Sequence, residues 1–372
     1  MSKGVKQHCG RGSDFNPFNR FETIHIQKEL SEITVDDPTP KTELYFDSSK
    51  SILSHNDSPD VGFDTSLNPY RGCEHGCVYC YARPTHEYLG FSGGLDFETK
   101  IMVKKDAPKL LFKELSSKKW KPQVIVMSGV TDCYQPIERK LEITRRCLEV
   151  LVEFKNPVVI ITKNHLVTRD IDLFKKLAEH DAVCVNISIT SLDPALTRIM
   201  EPRTSMPSAR LEALRELTCA KIPTGVMVAP ILPAINDMEI PAILKEARFA
   251  GAMRAGYVIV RLPYANKDLF VDWLEKYFPD RKDKVLHRLQ SLRSGKLNSS
   301  QFGDRMRGQG FWAEQVRDIF KLAYPLRSLA SGTSLAGSKP RPPKADGILG
   351  PGLALGCIPL IKKRGLQGRT WK

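Results

Sequence analysis

No uninterrupted apolar run in this 372-residue chain reaches the roughly 18 residues that a membrane-crossing helix needs. The longest candidate, ILGPGLALGCIPLI (348–361), is broken by Gly and Pro. The opening MSKGVKQHCGRGSDFNPFNR has no apolar core of the secretory kind. The chain therefore reads as soluble and cytoplasmic, with no membrane partner. No G-x-G-x-x-G follows a strand-like run and no P-loop sequence occurs, so neither standard phosphate cradle is supported. Acidic excess is also missing: the net charge is +14. That excess is local, because residues 281–330 carry 11 Lys or Arg against 4 Asp or Glu, and residues 331–372 carry 8 against 1. Two readings stand for this quarter, a solvated basic tail and a surface for nucleic acid.

What is present is a globular composition, 41% hydrophobic and 26% charged, enough for a large core. Residues 1–60 are polar and irregular. From about 61 to 265, short apolar runs alternate with amphipathic stretches. The runs that read as strands are TSLNPY (65–70), QVIVMSG (123–129), PVVIITK (157–163), AVCVNISIT (182–190), TGVMVAPIL (224–232) and GYVIVRLP (256–263). In the segment 137–154, Ile143, Cys147, Val150, Leu151 and Phe154 fall at helical spacing and mark its buried side. Continuous Val/Ile runs imply strands covered on both faces, as in parallel sheets. Six strand–helix units in series predict an α/β fold, a partial (β/α)₆ barrel with chemistry at the C-terminal strand ends. A doubly wound open sheet is the competing architecture. Residues 266–328 read as a helical C-terminal extension, and 329–372 as a disordered basic tail.

The stretch RGCEHGCVYCYARPTHEYLG (71–90) packs Cys73, Cys77 and Cys80 into eight positions and supplies no fourth cysteine. A closed zinc site wants four ligands, and His75 or His86 would have to complete it at poor spacing. An iron–sulfur cube fits three thiolates better, because it leaves one iron open to a chelating molecule.

The string Cys73-Glu-His-Gly-Cys77-Val-Tyr79-Cys80 resembles the signature loop of the radical S-adenosylmethionine (radical SAM) superfamily, including the aromatic residue before the last cysteine. The wider stretch SLNPYRGCEHGCVYCYARPTHEYLG, with TDCYQPIE, APILPAIND and MRGQGFWAE downstream, is similar to a bacterial branch related to spore photoproduct lyase. The likeness runs from roughly residue 10 to 328. It implies a [4Fe–4S] cluster on Cys73, Cys77 and Cys80 whose open iron chelates S-adenosyl-L-methionine. One electron, from a donor such as flavodoxin or ferredoxin, would cleave that cofactor to a 5′-deoxyadenosyl radical, the chemistry being the cofactor's.

The resemblance also assigns positions. Tyr79 would contact adenine. Ser128 and Gly129 stand where the family has a Gly-Gly-Glu motif. Asn186, Ser188 and Thr190 alternate along one strand towards the ribose. Arg203, with Arg198 as runner-up, would clamp the methionyl carboxylate through a bidentate guanidinium. Lys163 ends a strand at the barrel mouth. Asp132, Tyr134 and Glu138 are the substrate-contact candidates, although Asp132 equally suits a turn cap and Glu138 a helix start. Cys133 is a candidate hydrogen donor. The spore enzymes carry their donor cysteine just before a Thr-Ser-Asp stretch, and the matching place here is Gly129, so thymine-dimer repair does not transfer. The alternative function is a nucleic-acid-binding protein with a structural metal.

Overall fold

The computed structural model describes residues 10–22 and 40–323. The expected tail, 329–372, lies outside the described residues. Among the described residues, ten strands form two sheets: β1 (Glu43–Phe46), β2 (Leu53–His55), β3 (Thr65–Leu67), β4 (Tyr70–Arg71), β5 (Lys100–Val103), β6 (Ile125–Met127), β7 (Val158–Thr162), β8 (Val183–Ser188), β9 (Thr224–Ile231) and β10 (Arg254–Ile259). The large sheet has the order β10-β9-β8-β7-β6-β3-β2. Every pairing in it is parallel except the antiparallel β2–β3 edge. The six parallel strands are the six apolar runs, each beside its sequence neighbour. Right-handed crossovers in that order put every connecting helix on one side and curl the sheet into a partial barrel.

The strands alternate between two apolar environments. Val183, Val185 and Ile187 of β8 belong to the main core beneath the helices, with Ile125, Val158, Val226 and Ile259. Cys184 faces the other way, into a smaller interior cluster with Phe63, Val124, Val126 and Val159. Both faces are covered, which is why no polar alternation marks these runs. The helix Ile143–Glu153 buries Ile143, Thr144, Cys147, Leu148 and Leu151. Val150 and Phe154 only border the core, so the buried stripe is rotated slightly from the one the spacing suggests.

The N-terminal segment carries two strands, β1 and β2. All four residues of β1 are exposed, so no buried face writes a period into ELYF; the strand exists through its parallel pairing with β5. Beyond β10 come helices Asn266–Tyr277, Lys282–Ser291 and Phe311–Ala323. The last returns to the barrel, with Phe320 4.5 Å from the Tyr257 ring.

The barrel's two sheet edges, β2 and β10, are bridged by one piece of chain. The Ile259 amide donates to the Met306 carbonyl at 2.9 Å. A few residues earlier, the Gly303 amide donates to Asp60 at 2.6 Å. Arg305 pairs with Asp60 and donates to the Ser58 hydroxyl.

Candidate functional site

The C-terminal ends of the parallel strands open into one cavity of about 410 Å³. Cys73, Cys77 and Cys80 line it from the loop after β4, and Ser128, Gly129 and Asp132 from the loop after β6. Thr162 and Lys163 come from the end of β7, Ser188 from β8, Ala229 and Pro230 from β9, and Arg261 from just beyond β10.

The cysteine loop is held from behind. Arg83 is fully buried, and its Nε and Nη2 donate to the Cys77 carbonyl at 3.1 and 2.9 Å. Its Nη1 reaches the Gly93 and Gly94 carbonyls, and Nη2 pairs with Glu98 at 2.5 Å. The other Glu98 oxygen accepts from the Gly12 amide at 2.9 Å. Residues 10–19 thus pack on the back of the loop, and Gly12 is required there: a Cβ on it would lie 1.6 Å from the Gly76 carbonyl oxygen.

From the barrel side, the T-D-C-Y-Q-P-I-E stretch braces the same loop. Gln135 accepts from the Glu74 amide at 2.8 Å and donates to the Gly72 carbonyl at 3.2 Å. Glu74 returns the grip by accepting from the Ile137 amide at 2.6 Å. Asp132 accepts from Tyr134 N at 2.9 Å, Lys163 N at 2.8 Å and the Thr162 hydroxyl at 2.8 Å, and lies 3.4 Å from His75 Nδ1. Burial alone would lower the His75 pKa, but Asp132 and Cys73 outweigh it and push it up to about 10. Burial likewise opposes the Asp132 charge, yet His75 and the surrounding donors hold its carboxyl below the usual range.

Placed together on one loop, the thiols can each ligate an iron, and without metal their burial makes them poor thiolates. Burial pushes Cys77 well up and Cys80 up to about 11, with Lys163 acting in the opposite direction on both. All three are unbridged. Neither histidine completes a zinc site. His75 is occupied by Asp132 and by Asn164 at 3.2 Å. His86 sits against Phe91 and Phe97 with Nε2 2.9 Å from the Lys100 carbonyl, and burial pushes its pKa down to about 4. Among the described residues no three His, Cys, Asp or Glu side chains converge on a single-ion position. A cube, by contrast, takes each thiolate on a different iron. The donor set therefore fits an iron–sulfur cluster.

Tyr79 lines the cavity and its hydroxyl donates to Glu201, a fully buried carboxylate that also pairs with Arg210 and accepts from Thr190 at 2.8 Å. Ser128 keeps a glycine-like backbone, with φ +72°, although it is not glycine. Its hydroxyl accepts from the Cys133 amide at 2.8 Å. The Gly129 carbonyl accepts from Tyr81 at 2.6 Å. Asn186 lies deeper, and its buried Nδ2 has no protein partner.

Other sequence candidates are placed elsewhere. Cys133 and Tyr134 are fully buried in the main core, not in the cavity. The Tyr134 hydroxyl donates to Asp170 at 3.0 Å, and burial pushes the Cys133 thiol well up. Capping a turn, Asp132 faces inwards and sends the next two side chains towards the helices. Glu138 is buried under Tyr70 and Arg169 as part of an ionic lattice. Arg203 turns away to Glu74 at 3.1 Å and Thr42 at 3.3 Å, and Arg198 lines a separate small pocket near Trp273. Residues that reasoning from sequence missed include Tyr81, Glu201 and Arg261. Arg261 had a signal: like Lys163, it is the charge that ends an apolar run.

A family model for the radical SAM superfamily matches residues 67–247. An uncharacterized protein of Mycobacterium tuberculosis is 34% identical over 220 residues, 59% of this chain and 65% of that relative's length. One from Methanocaldococcus jannaschii is 32% identical over 174 residues, 46% of this chain and 62% of the relative. The chain thus spans somewhat less than two thirds of these relatives. A solved structure of spore photoproduct lyase complexed with dinucleoside spore photoproduct superimposes with a TM-score of 0.55, at 17% identity, over 75% of this chain and 78% of that one. At that identity the likeness concerns the fold. Six sequential parallel strands, a three-cysteine loop at their C-terminal mouth and the family match converge on one conclusion: the stretch 67–247 of this chain is of the radical SAM type.

Proposed function

We propose that this protein binds a [4Fe–4S] cluster through Cys73, Cys77 and Cys80 and uses S-adenosylmethionine to start a radical reaction on a small substrate. The observation that carries this reading is the position of the three thiols, together on one braced loop and facing a cavity at the barrel mouth. When bound, the cluster and cofactor would supply one-electron cleavage to a 5′-deoxyadenosyl radical. The chain's own residues would bind, orient and exclude water. Tyr79, locked by Glu201, offers a flat face for adenine. Ser128 and Gly129 offer strand-end backbone to the methionyl group, Ser188 a hydroxyl to the ribose, and Lys163 a positive charge beside Cys77. Arg203 is engaged by Glu74, which leaves Lys163 the better anion partner. Asp132 holds His75, and through it the cysteine loop, in register with β7. We expect the electron to come from a flavodoxin or ferredoxin.

The test is anaerobic reconstitution with iron and sulfide, then dithionite and S-adenosylmethionine, with 5′-deoxyadenosine as the readout. Cys77→Ala is expected to lose both bound iron and product; product formed by that variant would refute the ligand assignment. An intact cluster that cleaves nothing would favour the second reading, a nucleic-acid-binding protein. The basic count of residues 281–330 supports that reading, but Arg288, Arg305, Arg317 and Lys321 there are paired with acids and Arg293 is buried against carbonyls. Steeply salt-dependent duplex binding would be its signature.

A further inference from the structure

Lys163, Arg261 and Arg305 line the cavity as cations, and one of them is balanced: Arg305 faces Asp60. Lys163 sits deep, its Nζ 5.9 Å from the Tyr79 ring and bonded only to the Ala229 carbonyl at 3.2 Å. The thiolates and the cofactor's carboxylate can balance it. Arg261 has no such match. It stands at the rim, its guanidinium 5.8 Å from the ring of half-exposed Tyr81, next to the segment that bridges β2 and β10. Its Nε is buried without a partner, and Nη1 meets only the Met306 sulfur at 3.7 Å. Asp60, the nearby acid, is occupied by Arg305 and the Gly303 amide. Burial lowers the Arg261 pKa, and the neighbouring Arg305 adds to that. A guanidinium desolvated without a counter-ion is costly to the fold.

We propose that Arg261 is the substrate's anion clamp: the cavity takes an organic molecule with an apolar body and one carboxylate or phosphate, seated on this guanidinium. Phe63, Val130, Ile161, Met227 and Val258 supply the apolar wall for the body. The two terminal nitrogens of Arg261, opposed only by the weak Met306 sulfur contact, can bind an oxyanion through two parallel hydrogen bonds. The inference rests on the radical SAM reading for the claim that the bound molecule is a substrate, but the anion site itself is measurable without turnover.

The experiment uses the reconstituted protein with S-adenosylmethionine present, so that the cofactor's own carboxylate site is filled. Inorganic phosphate and acetate are titrated separately by calorimetry at low ionic strength, into wild type, Arg261→Lys and Arg261→Gln. At least one probe is expected to bind wild type saturably and to lose about tenfold or more in Arg261→Gln, with Arg261→Lys between them. Phosphate alone binding assigns a phosphorylated substrate; acetate alone assigns a carboxylate. Because the guanidinium lacks a counter-ion, Arg261→Gln is expected to melt at or above the wild-type temperature. No saturable binding, binding that survives Arg261→Gln, or a lowered melting temperature in that variant overturns the proposal. So does a fall in S-adenosylmethionine affinity with both probes inert, which would give Arg261 to the cofactor. Failure of the radical SAM reading would look different: iron-loaded protein that yields no 5′-deoxyadenosine, whatever the anions do.

Discussion

Replacing Arg83 by Met isolates what holds the cysteine loop in place. The Arg83 side chain and that of Glu98 are both fully buried. Arg83 donates to the carbonyls of Cys77, Gly93 and Gly94 as well as to Glu98. Met preserves much of the volume but strands three carbonyls and a carboxylate. Breaking a buried pair from one side typically costs about 3–5 kcal/mol, because the remaining charge has no water to turn to. Glu98→Gln in the same background removes the stranded charge while keeping an acceptor for the Gly12 amide. The double variant should then be about 1–2 kcal/mol more stable than Arg83→Met alone, a non-additivity typical of residues in contact. Urea unfolding of the metal-free protein at neutral pH gives the stabilities, and bound iron after reconstitution gives the consequence for the loop. Arg83→Met is expected to lose iron along with stability. If it costs under about 1 kcal/mol, or if the two substitutions simply add, the loop is not held by this pair and the reasoning fails.

Three further outcomes are expected. His86 is neutral in the fold, its pKa pushed by burial from 6.5 down to about 4. The unfolded chain therefore takes up a proton that the folded one refuses, so stability present above pH 6.5 falls by about 3 kcal/mol towards pH 4; His86→Leu should flatten that slope in urea titrations, and an unchanged slope would exonerate this ring. Gly12→Ala puts a methyl against the Gly76 carbonyl, so hydrogen exchange should rise across residues 10–19 and 73–80 together; exchange confined to one of them would break the claimed contact. At Ser128, Gly should relieve the positive φ while losing the acceptor for Cys133 N, whereas Ala keeps the strain and loses the acceptor, making Ser128→Ala the less stable by about 1 kcal/mol in thermal melts.

The barrel was readable because its strands are buried on both faces, and a run such as PVVIITK has no other reason to be continuous. β1 and β2 were not, since ELYF buries nothing and LSH is three residues long. At the site, the cysteines announce themselves by spacing, and Tyr79 and Ser188, expected there from the resemblance, line the cavity. The TDCYQPIE stretch misled in detail. Its polar residues look like reaction machinery, but Gln135 grips the cysteine loop and Glu138 joins a lattice with Arg169 and Tyr70. Sequence shows that such groups are there, but which of two adjacent side chains enters a cavity depends on one turn's geometry. Cys133 and Asp132 differ in fate for that reason alone. Arg203 was lost to Glu74, a partner more than a hundred residues away, which no local pattern could reveal.

Residues 10–19 seal the rear of the cysteine loop, with Gly12 too tight against Gly76 for anything to pass. On the proposed function, iron and sulfide would then enter through the same doorway that later admits the reactants. Assembly would proceed from the inside outwards, inorganic core first, sulfonium second, organic guest last. A guest that lingers would keep a damaged core from being repaired, so slow product departure and slow maturation should travel together.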